Sequence, residues 1–186
     1  MNRIKYLSSR ISYQQKENGF SIVITGKTER WKEAALMAWV LAWTASGLYF
    51  IFQLTQDLPR QTKMGIFIFL FFWLYFEVRV GRALLWRLWG FEQILFTPGQ
   101  LSIKRNIKGY GKRVDYFLQN IPVFNKVEVA PHSLMASMEN SFWVVGGERI
   151  YFEHLGKKVG LGMQLSEVET NQLLQLIRKQ APRFRK

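Results

Sequence analysis

The stretch that decides the fold is AALMAWVLAWTASGLYFIFQL, residues 34–54, which holds no charged side chain. At 1.5 Å per residue, an α-helix of this length spans roughly 30 Å, the thickness of the hydrocarbon core of a bilayer. A second apolar block, MGIFIFLFFWLYF, residues 64–76, follows after a short polar loop. The two blocks predict a transmembrane helical hairpin over 33–88, with helices at about 34–54 and 64–86.

The distribution of Lys and Arg predicts how the hairpin is oriented. The segment before the first helix is rich in Lys and Arg, whereas the loop between the helices holds only Arg60 and Lys63. The positive-inside rule therefore predicts a multi-pass protein of the inner (cytoplasmic) membrane with both termini cytoplasmic. Because no small-residue cleavage site follows the first helix, we expect a retained anchor and not a cleaved signal. Trp31, Trp86 and Trp89 are predicted to form an aromatic belt at the inner interface.

The second helix carries a polar break. Its uncharged part covers only about 20 Å, so crossing the full bilayer brings Glu77, Arg79 and Arg82 into the inner third of the membrane. Charges at that depth are costly unless they pair or reach the headgroups. One interpretation is that both arginines reach headgroups and Glu77 pairs with an arginine. The other is that Glu77 belongs to a proton or ion path, or docks another membrane subunit. A single carboxylate without a partner acid favours docking over transport.

The two helices also differ in side-chain size. Alanines recur at three- and four-residue spacing in the first helix, which favours close helix packing. The second helix is dense in aromatic residues around its whole circumference, so some must face lipid, a pigment or quinone, or a partner protein. The residues predicted to pack the hairpin are Ala35, Ala38, Ala42, Ala45, Phe69, Phe72, Trp73 and Phe76.

From Phe91 onward the pattern changes to short alternating runs separated by turn residues, which is typical of antiparallel strands. Pro98 and Gly99 stand in type II turn order between the first two runs. A capping-box sequence at 166–169 then predicts a closing C-terminal helix. The predicted strands are 91–97, 100–107, 112–118, 123–129, 141–145, 149–154 and 159–163.

Seven short strands followed by one helix is the order of the pleckstrin-homology-like fold. Four groups of residues extend the likeness: WGFE at 89–92, LSIKR at 101–105 with GYG at 109–111, GERIYF at 147–152, and GLGMQLS at 160–166. With these motifs the chain resembles, over about residues 20–180, an uncharacterised family of bacterial two-helix membrane proteins that carry such a domain. The resemblance implies fold and topology, including a short strand near 20–25, and it implies no activity.

The predicted fold class is therefore an α+β membrane protein. A cytoplasmic N-terminal segment, 1–32, precedes the transmembrane helical hairpin, 33–88. A small antiparallel β domain of pleckstrin-homology-like type, 89–186, follows in the cytoplasm and is closed by the C-terminal helix.

A cluster of cations around the second β-turn is the candidate binding surface of this domain. The formal net charge of the chain is +13. Near an anionic leaflet each Lys or Arg contributes about 1 kcal/mol of attraction. The cluster either binds lipid or a partner, or is a solvated hairpin that obeys the topology rule. Nucleic acid is not expected as a partner, because the domain has no recognition helix. The residues of this basic hairpin are Lys104, Arg105, Lys108, Lys112 and Arg113.

Catalytic and metal sites are not predicted. The chain has no cysteine, which excludes thiolate chemistry and disulfides. Its two histidines, His132 and His154, fall into neither metal-ligand nor triad spacing with Asp57 or Asp115. We therefore expect a protein that is not an enzyme, with no catalytic residues, no metal and no cofactor.

Two functions follow from this interpretation. The leading one is an accessory or scaffolding subunit of a larger membrane complex, such as a respiratory, photosynthetic or secretion assembly. Its partners would be membrane lipids and other integral membrane subunits, and its oligomeric state stays open. The alternative is a free-standing, membrane-anchored sensor that binds anionic lipid or a peptide through its cytoplasmic domain.

Overall fold

The computed structural model describes residues 3–127, 145 and 147–185. Within that part of the chain the fold is α+β, with three α-helices and two antiparallel sheets. Helix α1 spans Arg30–Gln53 and helix α2 spans Arg60–Trp89. Both are long and apolar enough to cross a membrane, and only 11% of the most apolar window of each is buried, which suggests membrane association.

The first sheet has six strands in chain order, each antiparallel to its neighbour. Its strands are β1 (Lys5–Tyr6), β2 (Ile11–Lys16), β3 (Gly19–Thr25), β4 (Gly90–Thr97), β5 (Gln100–Ile107) and β6 (Arg113–Phe117). The helical hairpin is inserted between β3 and β4, which are direct neighbours in the sheet. At the insertion point the Gly26 N–H donates to the Gly90 carbonyl oxygen at 2.8 Å. Both helices therefore leave the β domain from the same end of its two central strands.

The N-terminal residues belong to this β domain, whereas the sequence analysis placed 1–32 in a separate segment. Strand β3 includes the strand expected near 20–25, and it pairs with β4 over six residue pairs. The alternating residues Phe20, Ile22 and Ile24 are buried on the same side as Ile94 and Phe96. These side chains need one shared core, and that requirement brings residues 5–25 into the sheet.

The second sheet and a helix complete the domain. The sheet consists of β7 (Phe124–Lys126), β8 (Glu148–His154) and β9 (Lys157–Met163). Helix α3, Glu167–Gln180, begins with the predicted capping box, in which Ser166 and Glu169 exchange hydrogen bonds between side chain and backbone. Apart from Val145, the strand predicted at 141–145 lies outside the described residues.

One hydrophobic core joins both sheets and α3. Ile94 of the first sheet, Phe152 of the second and Leu173 of α3 are each completely buried within the same cluster. Burial of large aliphatic and aromatic side chains is the main favourable term in the stability of such a domain. The helix α3 therefore closes the core.

The helical hairpin is held by two tryptophans that exchange hydrogen bonds. The indole N–H of Trp73 donates to the Trp43 carbonyl oxygen at 2.8 Å, and the indole N–H of Trp43 donates to the Trp73 carbonyl oxygen at 3.3 Å. The buried Gly47 makes room for this contact, because a Cβ there would overlap the Trp73 ring. Gly47 is therefore the small residue that permits close approach of α1 and α2.

The alanine stripe lies elsewhere than predicted. Ala35, Ala38, Ala42 and Ala45 are all exposed, so the stripe faces away from α2. An indole N–H in apolar surroundings needs an acceptor, and the reciprocal tryptophan bonds turn the Trp43 face of α1 toward α2. The predicted aromatic residues divide in the same way. Phe69 and Phe76 face α1, with ring centroids 6.2 and 6.4 Å from that of Trp43. The ring centroids of Phe69 and Phe50 are 4.6 Å apart. Phe72, in contrast, is 56% exposed.

Replacing Gly47 tests this hairpin contact. We expect Gly47→Leu to lower the melting temperature of the detergent-solubilised protein, because overpacking at a tight contact costs about 1–3 kcal/mol. Ala45→Leu, on the exposed stripe, introduces the same side chain and should leave the melting temperature unchanged. Equal melting of the two variants would contradict the assignment of Gly47 to the helix contact.

Candidate functional site

The end of the β domain from which the helices leave is the candidate functional surface, and we call it the helix-proximal end. Strand β3 finishes there at Thr25 and β4 starts there at Gly90. The antiparallel register also places the β1–β2 loop and the β5–β6 turn at this end, because Ile11 pairs with Ile24 and Gly90 pairs with Ile107. The end of β9 also lies here, because the Arg10 side chain in the β1–β2 loop donates to the Gln164 carbonyl oxygen at 2.8 Å. The Gln164 N–H in turn donates to the Gly147 carbonyl oxygen, at the start of β8, at 2.7 Å.

This end is rich in cations. They come from loops and strand ends far apart in sequence, together with the first turn of α1 and the last turn of α2. We call this group the basic rim: Arg10, Lys27, Lys32, Arg87, Lys108, Lys112, Arg113 and Arg149.

Arg105 of the predicted basic hairpin is a partly exposed ion-pair partner of two carboxylates and not part of the basic rim. Its Nε donates to Glu92 at 3.1 Å, and its Nη2 donates to Glu148 and to the Gly160 carbonyl oxygen. Successive residues of a strand point to opposite faces, so Arg105 points to the Glu92 side, away from Lys104. Arg105 therefore links β5 of the first sheet to β8 and β9 of the second.

Glu92 is the buried centre of that link. Its side chain is completely buried, and its Oε2 accepts hydrogen bonds from the N–H groups of Gly162 at 2.8 Å and Met163 at 3.3 Å. Burial raises the pKa of Glu92, while Arg105 and the two N–H groups favour its ionised form. For Arg105, burial opposes the charge, but the carboxylates of Glu92 and Glu148 hold its pKa above the usual value.

The other predicted hairpin residues remain on the surface. Lys104 and Arg113 are cross-strand neighbours. Lys112 is exposed in the β5–β6 turn, and the Nζ of Lys108 lies 4.4 Å from the centroid of the Trp89 ring. This cation–π contact fixes Lys108 beside the end of α2.

The three tryptophans predicted as an interface belt have different environments. Trp31 and Trp89 are exposed, at 62% and 44%, whereas Trp86 is only 4% exposed. A side-chain carbon at Gly26 or Gly90 would overlap Trp86, so Trp86 fills the junction between α2 and the sheet. Val80, Ala83 and Trp86 follow one another at three-residue spacing and share the buried face of α2. Trp86 therefore points toward the β domain and does not belong to the belt.

Glu77 makes a hydrogen bond between the two helices. Its Oε1 accepts from the hydroxyl of Thr44 at 2.8 Å. Among the described residues neither Arg79 nor Arg82 forms an ion pair with it, and Arg79 donates to the Tyr75 hydroxyl instead. The Oε2 of Glu77 is buried and has no hydrogen-bond partner in the described part of the chain. The ion pair expected in one interpretation is thus replaced by a Thr–Glu bond.

A cavity of about 810 Å³ opens at the helix-proximal end, and sequence reasoning did not find it. Its walls are the β1–β2 loop, the segment between β3 and α1, the end of α2, the start of β8 and the N-terminus of α3. The cations that line it are Arg10, Lys27, Lys32, Arg87 and Arg149.

The two carboxylates that line the cavity are already engaged by neighbours. Glu169 accepts from the Ser8 hydroxyl at 2.8 Å and from the Ser166 N–H at 3.0 Å. Glu29 accepts from the Lys32 Nζ at 3.0 Å and from the Trp31 indole N–H at 2.6 Å. Glu29 therefore offsets the charge of Lys32, and Glu169 acts electrostatically on Arg10.

Arg10 and Arg87 differ in how fully their guanidinium groups are satisfied. Arg10 donates to the Thr25 and Gln164 carbonyl oxygens, and burial lowers its pKa. Arg87 is only 5% exposed, and its one hydrogen bond within the described part of the chain is from Nη1 to the Gly26 carbonyl oxygen at 3.5 Å. No carboxylate among the described residues lies within ion-pair distance of Arg87. From the sequence alone, Arg87 cannot be distinguished from the other cations that flank the helices and follow the positive-inside rule.

Comparison with known proteins finds no matching family model, curated protein or solved structure. Within residues 3–127, 145 and 147–185, no three His, Asp or Glu residues lie where they could hold a metal ion. His132 lies outside the described residues.

Proposed function

We propose that this chain is a non-catalytic protein of the bacterial inner membrane, anchored by its helical hairpin, whose cytoplasmic β domain binds anionic lipid headgroups through the basic rim. The observation that supports this most directly is the insertion of the hairpin between the adjacent strands β3 and β4. When α1 and α2 span the bilayer, that insertion turns the helix-proximal end toward the leaflet.

The connections between helices and sheet are too short to let the domain swing away from the membrane. Four residues, 26–29, separate β3 from α1, and α2 ends at Trp89 directly before β4 begins at Gly90. The surplus of Lys and Arg outside the 54–59 loop supports a cytoplasmic location for the domain. Each cation of the rim that approaches an anionic leaflet adds about 1 kcal/mol of attraction, which salt weakens.

The arrangement of the domain supports a pleckstrin-homology-like fold as part of this proposal. Two antiparallel sheets share one core, and a C-terminal helix closes it. The likeness to the uncharacterised two-helix family accords with this architecture. Recognition of a membrane surface suits a domain that has charged loops at one end and its core closed at the other.

A second candidate function is an accessory or scaffolding subunit of a larger membrane complex. Two features of α2 favour it: the buried Oε2 of Glu77 without a hydrogen-bond partner among the described residues, and the exposed rings of Phe67 and Phe71 at 62% and 74%. Purification in mild detergent separates the two candidates. A subunit brings partners in fixed ratio, whereas a lipid-binding protein is recovered with lipid alone.

Charge reversal on the basic rim tests the lipid proposal. With the full chain in nanodiscs of mixed neutral and anionic lipid, we expect the wild type to retain anionic lipid preferentially, in a salt-sensitive manner. Lys108→Glu combined with Lys112→Glu should clearly weaken this preference, because two attractive charges of the rim become repulsive. The nanodiscs are dissolved in detergent, and mass spectrometry then measures which lipids stay bound to the protein.

The matched control reverses two exposed cations at the opposite end of the domain. Lys157 begins β9 after the β8–β9 turn, and Arg183 lies beside Phe184, whose carbonyl oxygen accepts from Gly99 in the β4–β5 turn. Lys157→Glu with Arg183→Glu makes the same change in net charge and should keep the lipid preference. An equal loss in both double variants would reject a role for the rim.

A further inference from the structure

We propose that the cavity at the helix-proximal end is a site for the phosphate monoester of one anionic lipid headgroup, with Arg87 as its buried anchor. The inference depends on the proposed function, since it assigns a single defined lipid to a surface proposed to face the membrane. A phosphate monoester carries up to two negative charges and several acceptor oxygens, which suits a wall of guanidinium and ammonium groups.

The strongest observation is the unsatisfied state of Arg87. A guanidinium has five N–H donors and stays charged, yet among the described residues this nearly buried side chain makes one hydrogen bond, at 3.5 Å. Glu33 attracts Arg87 electrostatically but forms no ion pair with it. A buried charge without compensating partners is costly, and buried cations normally have a carboxylate or another anion beside them. An anion in the cavity would supply the acceptors that the protein does not provide.

The remaining wall fits the same ligand. Lys27 has no ion pair among the described residues. Glu29 offsets the charge of Lys32, and Glu169 acts electrostatically on Arg10. Five cations against two carboxylates in the lining nevertheless leave the cavity electropositive.

The position of the cavity points to a lipid as the source of the phosphate. Thr28 and Glu29, directly before α1, and Lys32, in its first turn, form part of the wall. A helix that enters the bilayer from this point places the cavity at the depth of the headgroups. Trp31, 62% exposed in the same turn, is suited to that interfacial depth.

The test uses the full chain in nanodiscs of neutral lipid, titrated with short-chain phosphatidic acid, with bound lipid counted by native mass spectrometry. We expect one saturable phosphatidic acid per chain. Arg87→Gln should weaken its binding at least about tenfold, the typical worth of a charge-assisted hydrogen bond. Arg82→Gln removes the same charge from an exposed position on the same helix and should leave affinity unchanged.

Lys27→Gln keeps the proposal testable if Arg87→Gln fails to fold. Lys27 is exposed and makes no ion pair among the described residues, so its loss should not affect folding. We expect phosphatidic acid to raise the melting temperature of the wild type and of Arg82→Gln, and to raise that of Lys27→Gln much less. Equal shifts in all three proteins would overturn the site.

Inorganic phosphate distinguishes the source of the anion. If millimolar phosphate displaces phosphatidic acid and gives the same thermal shift, the cavity is a site for free phosphate and the lipid assignment is overturned. If neither ligand saturates one site while the preference for anionic lipid still depends on Lys108 and Lys112, the cavity proposal fails and the proposed function stands. If the wild type shows no preference for anionic lipid, the proposed function itself is rejected.

Discussion

A chain in which residues 27–89 are replaced by a short Gly-Ser turn is expected to fold as a soluble β domain, whereas residues 89–186 alone are expected to stay unfolded. Gly26 and Gly90 already share a hydrogen bond at 2.8 Å, so a tight turn can connect them. Residues 89–186 lack β1, β2 and β3, together with Ile11, Phe20, Ile22 and Ile24 of the core.

The expected effect is large because each of those four side chains contributes about 1.5–3 kcal/mol by burial. Their combined loss is comparable to the entire stability of a small domain, about 5–15 kcal/mol. Circular dichroism with thermal melting, and the dispersion of amide signals in NMR spectra, distinguish the two proteins. Introducing Ile22→Asn into the spliced chain is the control, since it should abolish the transition. Cooperative melting of residues 89–186 alone would contradict the placement of β3 in the sheet.

The second large effect is expected at Glu92. Glu92→Leu should destabilise the protein by about 3–5 kcal/mol, because it leaves two buried N–H groups without an acceptor and removes an ion pair from Arg105. Glu92→Gln keeps a carbonyl acceptor and should cost less. Thermal or denaturant unfolding of the full chain in detergent measures the difference.

The matched comparison is Glu148→Gln, at the other carboxylate of Arg105. The Glu148 side chain is 40% exposed, and an exposed ion pair is worth at most about 1 kcal/mol. We therefore expect the order of stability wild type, Glu148→Gln, Glu92→Gln, Glu92→Leu. A Glu92→Leu protein as stable as Glu148→Gln would mean that the buried carboxylate does not join the two sheets.

The elements that the sequence predicted well are those with local signals. An uncharged run of helical length predicted α1 and α2, although α1 begins four residues earlier than predicted and α2 extends beyond both predicted ends. The Pro98-Gly99 turn predicted the β4–β5 hairpin, and the capping box at Ser166 predicted the start of α3. In each case the information lies within a few residues of the element.

The pairing of β3 with β4 could not be predicted in the same way. Phe20, Ile22 and Ile24 alternate as a strand should, but alternation does not identify the neighbouring strand. The partner follows only after the whole hairpin, and no local signal spans that distance. The N-terminal residues were therefore assigned to a separate segment.

The candidate site could not be predicted from the sequence for a related reason. The cavity brings together Arg10, Lys27, Arg87 and Arg149, which meet only when both sheets and both helices are assembled. In the hairpin, the spacing of the alanines indicated a smooth stripe but not the direction it faces. That direction depends on where the indole N–H groups of Trp43 and Trp73 find acceptors.

The insertion of the hairpin between neighbouring strands also sets an order of events during synthesis. Strands β1 to β3 leave the ribosome first, and β3 then presents an unpaired edge until β4 has been made. At about 5–20 residues per second, translation of the intervening helices takes on the order of several seconds. The domain can close only after both helices and β4 have been synthesised, so the β1–β3 part of the sheet waits for its partner while the hairpin is being made.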